Sequence, residues 1–203
     1  KFKEDIEEVV DNAIKNDVYK ILLPNIDFTT SDDMHELEAK YPNLFHSMMG
    51  IHPCYVSKDY KNEVQEVANY HQKNNYVAVG EIGIDLYWEK ELLQEQTEAF
   101  RSQVRLAIDL NLPIAVHVRD SWKEVFKVLD EENCSDLKGV LHCFTGDDEA
   151  AKKVLGYGGF KLGVGGVLTY KNSGLDKVLK NISLDHFVLE TDSPYLSPTP
   201  HRG

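Results

Sequence analysis

Four short apolar segments that each lead into a carboxylate or an imidazole constrain the fold of this chain most strongly. They are, in chain order, residues 77–80 before Glu81, 113–116 before His117, 139–141 before His142, and 187–189 before Glu190 and Asp192. The apolar and β-branched residues predict buried strands. In an α/β barrel the carboxyl ends of the strands converge on one face, so we expect the polar residues to meet there. Imidazoles and carboxylates together form a nitrogen and oxygen ligand set suited to a divalent metal ion.

The spacing of the strand candidates predicts a parallel sheet with crossover helices. Seven strands are predicted, at residues 19–26, 44–51, 76–80, 112–118, 138–144, 160–166 and 187–190. Helical patterns cover residues 4–16, 31–40, 58–73, 92–110, 122–130, 147–156 and 175–180. Either an open doubly wound sheet or a closed barrel fits this order. Ligands at several consecutive strand ends favour the barrel, because an open sheet concentrates its site at one switch point.

Three helix starts have recognisable capping signals. The run Ser31-Asp32-Asp33 offers a cap for the helix that extends to about Lys40. Ser121 and Glu124 predict a capping box for the helix at 122–130, and Asp147 predicts a single side-chain cap for the next helix.

Composition narrows the class of protein. The chain has 203 residues, of which 42% are hydrophobic and 28% charged, which is typical of one soluble domain without a membrane span. Its three cysteines lack a Cys-x-x-Cys spacing, which argues against a disulfide framework and favours a cytoplasmic location. A net charge of -12 disfavours non-specific binding of nucleic acid. Bound metal ions could reverse the sign of the charge within a cleft.

Longer motifs around these strand ends occur in a characteristic order. They are Gly50-Ile51-His52-Pro53, Gly80-Glu81-Ile82-Gly83-Ile84-Asp85, Leu112-Pro113 with His117, Arg119 and Asp120, His142-Cys143-Phe144 with Gly146, Glu190-Thr191-Asp192 with Pro194-Tyr195-Leu196, and His201-Arg202-Gly203. Together they resemble the TatD family of metal-dependent deoxyribonucleases, within the amidohydrolase-like barrels. The resemblance covers nearly the whole chain.

The resemblance implies a (β/α)8 TIM-type barrel that hydrolyses phosphodiester bonds in DNA, exonucleolytically and by metal-activated water. It implies one or two divalent ions, Mg, Mn or Zn, and single-stranded DNA as substrate. The implied metal ligands are Glu81, His117, His142 and Asp192. Of these, Glu81 would bridge two ions, and Asp192 would take the proton of the attacking water. The residues implied near the substrate phosphate are His52, Asp85, Arg119 and Arg202.

The chain departs from the family pattern at its start. The family begins with a strand that carries a His-x-His pair, whereas no such pair precedes Lys20 here. We therefore expect residues 1–203 to form a single barrel domain that lacks the first strand and the final helix, as a fragment of a longer chain.

The residues alone leave alternatives open for several side chains. His52 could simply end a strand before Pro53, Asp85 could cap backbone amides, and Arg119 could pair with an acid. Arg202 could lie in a disordered tail. Glu190 is expected to point away from an ion bound by Asp192, or to support one of its ligands.

Three functions are compatible with the sequence. The first is a metal-dependent nuclease. The second is an amide or ester hydrolase on the same barrel, such as an aminoacyl-tRNA deacylase, because a fold does not fix a substrate. The third is a catalytically silent binding protein. We expect a cytoplasmic monomer in each case.

Overall fold

Seven helices and seven strands alternate along the chain in a computed structural model that describes residue 2 and residues 4–202. The strands are β1 (Ile21–Pro24), β2 (Phe45–Met48), β3 (Val79–Asp85), β4 (Ile114–Arg119), β5 (Gly139–Leu141), β6 (Phe160–Val164) and β7 (Phe187–Leu189). The helices are α1 (Ile6–Lys15), α2 (Ser31–Lys40), α3 (Tyr60–Lys73), α4 (Leu93–Asp109), α5 (Trp122–Glu132), α6 (Asp148–Gly156) and α7 (Leu175–Leu179).

The strands are parallel and follow one another in chain order. β1 pairs with β2, and β3 to β7 form a five-stranded sheet in sequence order. A bridge between Met49 and Val79 connects the two sheets. A doubly wound sheet reverses its strand order at a switch point, whereas a barrel wall does not. The chain therefore has the α/β architecture of a TIM-type barrel, as predicted.

The main core lies between the strands and the outer helices. Phe100 and Val104 of α4 pack there with Val128 of α5, against Ile82 and Val116 of the sheet. A second, small cluster on the other face of the sheet contains Met48, Ala78 and Ala115, with Val140 packed against them. Small side chains on that inner face are typical of a barrel interior, where strands crowd together.

Most predicted elements agree with the structure within a few residues, but the third strand was placed wrongly. The apolar pattern predicts residues 76–80, whereas β3 spans Val79–Asp85 and is buried along its whole length. Glu81 therefore lies within a strand and Asp85 at its end. The sequence pattern misses this because glycine and acidic residues are poor strand signals.

One of the three capping predictions is confirmed. Asp147 accepts a hydrogen bond from the backbone N–H of Ala150 at the start of α6. The cap predicted for α2 is wrong, because Ser31 already lies within that helix and no side-chain cap hydrogen bond forms at its start. The capping box at Ser121 is wrong, because the Ser121 hydroxyl donates instead to the carbonyl of Ile84 at 2.5 Å. The start of α5 is thereby tied to the end of β3.

No helix in the described part of the chain has both the length and the hydropathy of a membrane-spanning segment.

Candidate metal centre

Side-chain alternation along β4 and β5 turns two histidines toward the barrel interior. Ile114 and Val116 pack in the helix-facing core, so Ala115 and His117 lie on the opposite face. On the neighbouring strand Leu141 is also in the helix-facing core, and Val140 is beside Ala115. His142, two residues after Val140, continues on that inner face.

A register shift in β3 brings Glu81 to the same place. Val79 is opposite Ile114 and Ile82 is opposite Val116, so β3 uses one more residue than β4 over this interval. Both Val79 and Ile82 can thus face the helices although they are three positions apart. Beyond the shift, regular alternation turns Gly83 and Asp85 inward. Bulges of this kind are frequent beside active sites, where they redirect a side chain.

One carboxylate oxygen lies at the centre of three imidazoles. Glu81 Oε1 is 3.1 Å from Nδ1 of His117, 3.9 Å from Nε2 of His52 and 4.0 Å from Nε2 of His142. The rings of His52 and His117 are in contact, with their centroids 4.4 Å apart. Glu81 is only 7% exposed, so these nitrogen atoms are its principal polar neighbours.

Two further carboxylates, those of Asp192 and Glu190, contact His142 on its two ring nitrogens. Its Nε2 atom is 3.0 Å from Oδ1 of Asp192, and its Nδ1 atom is 3.0 Å from Oε2 of Glu190. Glu190 also accepts a hydrogen bond from the backbone N–H of Cys143. The structure thus brings Glu81, His142 and Asp192 into one continuous set of contacts that also includes His117.

Glu190 occupies its position because Gly163 has no side chain. A Cβ atom at residue 163 would overlap the carboxylate of Glu190. The sequence left two options open for Glu190, and the structure shows the supporting one, since the carboxylate orients His142 rather than pointing away. Carboxylates that hold a histidine ligand in this manner fix its ring and tautomer.

Asp85 has one of the two roles considered for it, the capping of backbone amides, and it also contacts an imidazole. One oxygen, Oδ1, accepts hydrogen bonds from the backbone N–H groups of Tyr87 and Trp88. The other, Oδ2, is 2.9 Å from Nε2 of His117. The carboxylate is buried, at 1% exposure, and it joins the loop after β3 to the imidazole cluster.

The two predicted arginines lie against aromatic rings. The guanidinium of Arg119 is 4.0 Å from the ring centroid of Tyr87, so the acid pairing considered for it is replaced by a cation–π contact. The guanidinium of Arg202 is 4.1 Å from the ring of Tyr170. The roles at a substrate phosphate that the resemblance implies remain predictions for all four residues, namely His52, Asp85, Arg119 and Arg202.

The buried charges shift several pKa values at this centre. Burial lowers the pKa of His52 to about 4 despite the nearby Glu81. For Glu81, burial favours the neutral acid, but the hydrogen bond with His117 and the charges of the histidines outweigh it and lower the pKa to about 2. Burial likewise opposes protonation of His142, but Asp192 and Glu190 raise its pKa to about 12. The carboxylates and the imidazoles of His117 and His142 therefore favour one another's charged forms, whereas burial favours the neutral form of His52.

Two buried glutamines were missed by the sequence analysis. Gln96 and Gln103 lie seven residues apart on the buried face of α4. The Oε1 atom of Gln103 accepts a hydrogen bond from the N–H of Ile51, just before His52, and Oε1 of Gln96 accepts one from the N–H of Asp85. The sequence feature that could have identified them is a pair of amide side chains within the apolar stripe of a long helix.

The donor set fits a divalent metal ion. Among the described residues, His52, Glu81 and His117 offer ligand atoms that all lie within 4.8 Å of one another. Imidazole nitrogen and carboxylate oxygen are common ligands of zinc and of related ions. His52 belongs to this group although the sequence analysis placed it beside the substrate. The specific ligand set of Glu81, His117, His142 and Asp192 stays a prediction that this geometry supports.

Comparisons with known proteins agree with this geometry. The family model described as "TatD related DNase" matches residues 1–203. An uncharacterized metal-dependent hydrolase of Bacillus subtilis, YabD, is 34% identical over 203 residues, which cover 100% of this chain and 79% of the relative. The 3'-5' ssDNA/RNA exonuclease TatD of Yersinia pseudotuberculosis is 31% identical over 199 residues, covering 97% of this chain and 76% of its own length.

A solved structure supports the same conclusion. The crystal structure of YjjV, a TatD homologue from Escherichia coli, superposes with a TM-score of 0.90 at 27% sequence identity, covering 100% of this chain and 78% of that one. The fold, the inward-facing histidines and acids, and these sequence matches are consistent with one another. The chain belongs to the TatD family of metal-dependent hydrolases.

Proposed function

We propose that this hydrolase is a nuclease that cleaves phosphodiester bonds in DNA, removing nucleotides from a strand end. The observation that carries the proposal is the convergence of three imidazoles on Glu81, with Asp192 beside His142, at the carboxyl ends of the strands. That face carries the active site of α/β barrels. The relative from Yersinia that bears the name of a 3'-5' ssDNA/RNA exonuclease supports the choice of substrate.

The donor set assigns distinct tasks to the residues. Glu81, His117, His142 and Asp192 would hold one or two divalent ions, and His52 offers one more nitrogen. A bound ion would supply positive charge to the phosphate oxygens and would lower the pKa of a water molecule. Side chains of the protein would carry out the other tasks, which are to position the reacting groups and to move a proton.

The side chains around the centre can position and move a proton. Asp192 is hydrogen-bonded to His142 and is partly exposed, so it can accept a proton from the attacking water. Glu190 holds the opposite side of the same imidazole and prevents its rotation. Arg119, at the end of β4, carries a permanent charge that suits a phosphate group.

The test is a metal-dependent cleavage assay with end-labelled single-stranded DNA. With magnesium or manganese we expect early release of a 3'-end label and stepwise shortening of a 5'-labelled strand, and we expect a chelator to stop the reaction. Glu81→Gln and Asp192→Asn should each reduce the rate by about 100-fold or more, as for a lost acid or base. Asp109→Asn is the matched control, because Asp109 is exposed at the end of α4, away from the strand ends that form the centre.

Two other outcomes would redirect the proposal. Cleavage of an aminoacyl ester or an amide, with DNA left intact, would favour the other hydrolase on this scaffold. Failure to bind a divalent ion would favour a silent binding protein. The single domain, the monomeric state and the cytoplasmic location stay predictions.

A further inference from the structure

Exposed aromatic rings are concentrated at the end of the barrel that carries the metal centre. Among the described residues, five aromatic side chains are exposed: Tyr19, Tyr55, Tyr87, Trp88 and Tyr195. All but one follow the carboxyl end of a strand, and the exception is Tyr19, which precedes β1. Solvent contact is unfavourable for large aromatic surfaces, so clustering at one face indicates a binding surface.

Tyr87 and Trp88 form a shaped surface with Arg119. Their rings meet edge to face, with centroids 4.8 Å apart at an angle of 86°. The guanidinium of Arg119 covers the ring of Tyr87 at 4.0 Å and lies 5.6 Å from that of Trp88. Tyr87 is 52% exposed and Trp88 is 68% exposed. The indole therefore offers a large open area next to a fixed positive charge.

Hydrogen bonds fix this surface relative to the metal centre. The carboxylate of Asp85 holds the N–H groups of both aromatic residues and also contacts His117. The carbonyl of Arg119 accepts a hydrogen bond from the N–H of Leu86 at 2.9 Å. The loop is thus tied to both β3 and β4, and a group stacked on Trp88 would lie close to the imidazole cluster.

We propose that Tyr87, Trp88 and Arg119 form a base-stacking platform that holds an unpaired nucleobase of single-stranded nucleic acid beside the metal centre. An open indole face next to a guanidinium suits a flat aromatic ring, and base stacking on such surfaces tolerates any sequence. Bases in a duplex already have both faces covered, so the platform selects single strands.

The charge of the whole chain supports this choice of ligand. A net charge of -12 gives no long-range attraction for phosphates. Affinity for a nucleic acid must then come from short-range contacts, and stacking is the short-range contact that these residues offer. The proposal rests on the proposed function and specifies how that site would select its substrate.

Binding is measured in the presence of a chelator, so that no cleavage interferes. A short single-stranded DNA should quench the fluorescence of Trp88, and Trp122, which packs against Phe126 and Phe144, serves as an internal reference. Trp88→Ala should weaken binding of a labelled strand about tenfold, as expected for one lost stacking contact. Trp88→Phe keeps an aromatic ring and should retain most of the affinity without the quenching.

Two controls make the assay specific for stacking. Tyr19→Ala removes an equally exposed ring at the opposite end of the barrel and should leave binding unchanged. A strand of the same length without bases should bind the wild-type protein and Trp88→Ala equally weakly. Circular dichroism and the fluorescence of Trp122 check that each variant is folded.

The possible results separate this proposal from the proposed function. Unchanged affinity in Trp88→Ala, or equal binding of the strand without bases, overturns the platform even if DNA is cleaved. Quenching by a neutral oligosaccharide but not by DNA also overturns it. Quenching by DNA that is lost in Trp88→Ala supports the platform even if nuclease activity is absent, in which case only the proposed function fails.

Discussion

Gly163 shows how a missing side chain can determine the geometry of a functional centre. The space beside its Cα atom is filled by the carboxylate of Glu190, which in turn holds His142. The glycines at 163, 165 and 166 in the predicted strand at 160–166 indicate close packing at a strand end. The identity of the group that packs against Gly163 could not be predicted, because Glu190 is distant in sequence and its direction was unknown.

Gly163→Ala should therefore weaken metal binding without unfolding the protein. The added methyl group would displace Glu190 and release the ring of His142. Loss of such a supporting contact commonly reduces metal affinity by about 10- to 100-fold. Titration calorimetry with zinc or manganese would measure the change.

Gly156→Ala is the matched control for that substitution. A Cβ atom at residue 156, at the end of α6, would meet nothing within 4 Å. Metal affinity should stay at the wild-type value, and stability should stay the same or rise slightly, since alanine favours helix. Equal affinities in both variants would show that Glu190 does not act through His142.

At the scale of one element, α4 holds two loops in place through hydrogen bonds. Its buried amides reach the backbone of Ile51 and of Asp85, and these loops carry His52 and the aromatic pair. The position of α4 was predicted from its apolar stripe. The hydrogen bonds of its two glutamines could not be predicted, because their partners lie in other parts of the chain.

Gln96→Ala should destabilise the protein by about 2–4 kcal/mol. It would leave the buried N–H of Asp85 without its partner and would open a cavity in a packed region. Urea unfolding followed by circular dichroism gives the free energy of unfolding.

An exposed glutamine provides the comparison. Gln65 on α3 bonds only to Asn69 at the surface, so Gln65→Ala should change the free energy of unfolding by no more than about 0.5 kcal/mol. Equal free energies of unfolding for the two variants would show that the hydrogen bonds of Gln96 do not stabilise the protein.

For the whole molecule, the sequential strand order explains why distant residues share one centre. Glu81, His142 and Asp192 are far apart in the chain, but Glu81 belongs to β3, and the other two follow β5 and β7, which are alternate parallel strands of the same sheet. The number of strands and this convergence could be predicted from the repeated apolar segments. The presence of His52 in the metal centre could not be predicted, because its position depends on the loop after β2.

Metal binding should stabilise the entire fold, because the ligands come from separate strands that unfolding would disperse. An ion at 100 times its dissociation constant adds about 2.7 kcal/mol to the free energy of unfolding. Thermal denaturation should therefore show a higher Tm with added zinc or manganese, and a chelator should reverse it. Glu81→Gln should lose this shift, whereas Asp109→Asn should keep it. An equal rise in both variants would show that the ion binds elsewhere.

The extra residue in β3 makes the direction of its inward-facing side chains depend on the length of the strand. Loss of one residue between Val79 and Ile82 would remove the shift that turns Glu81 inward. After the shift, the same loss would reverse the direction of every following side chain. Asp85 would then face the outer helices, and His117 would lose its carboxylate neighbour. Length variation among natural or engineered versions of this chain should thus avoid β3 and be confined to the residues before Val79.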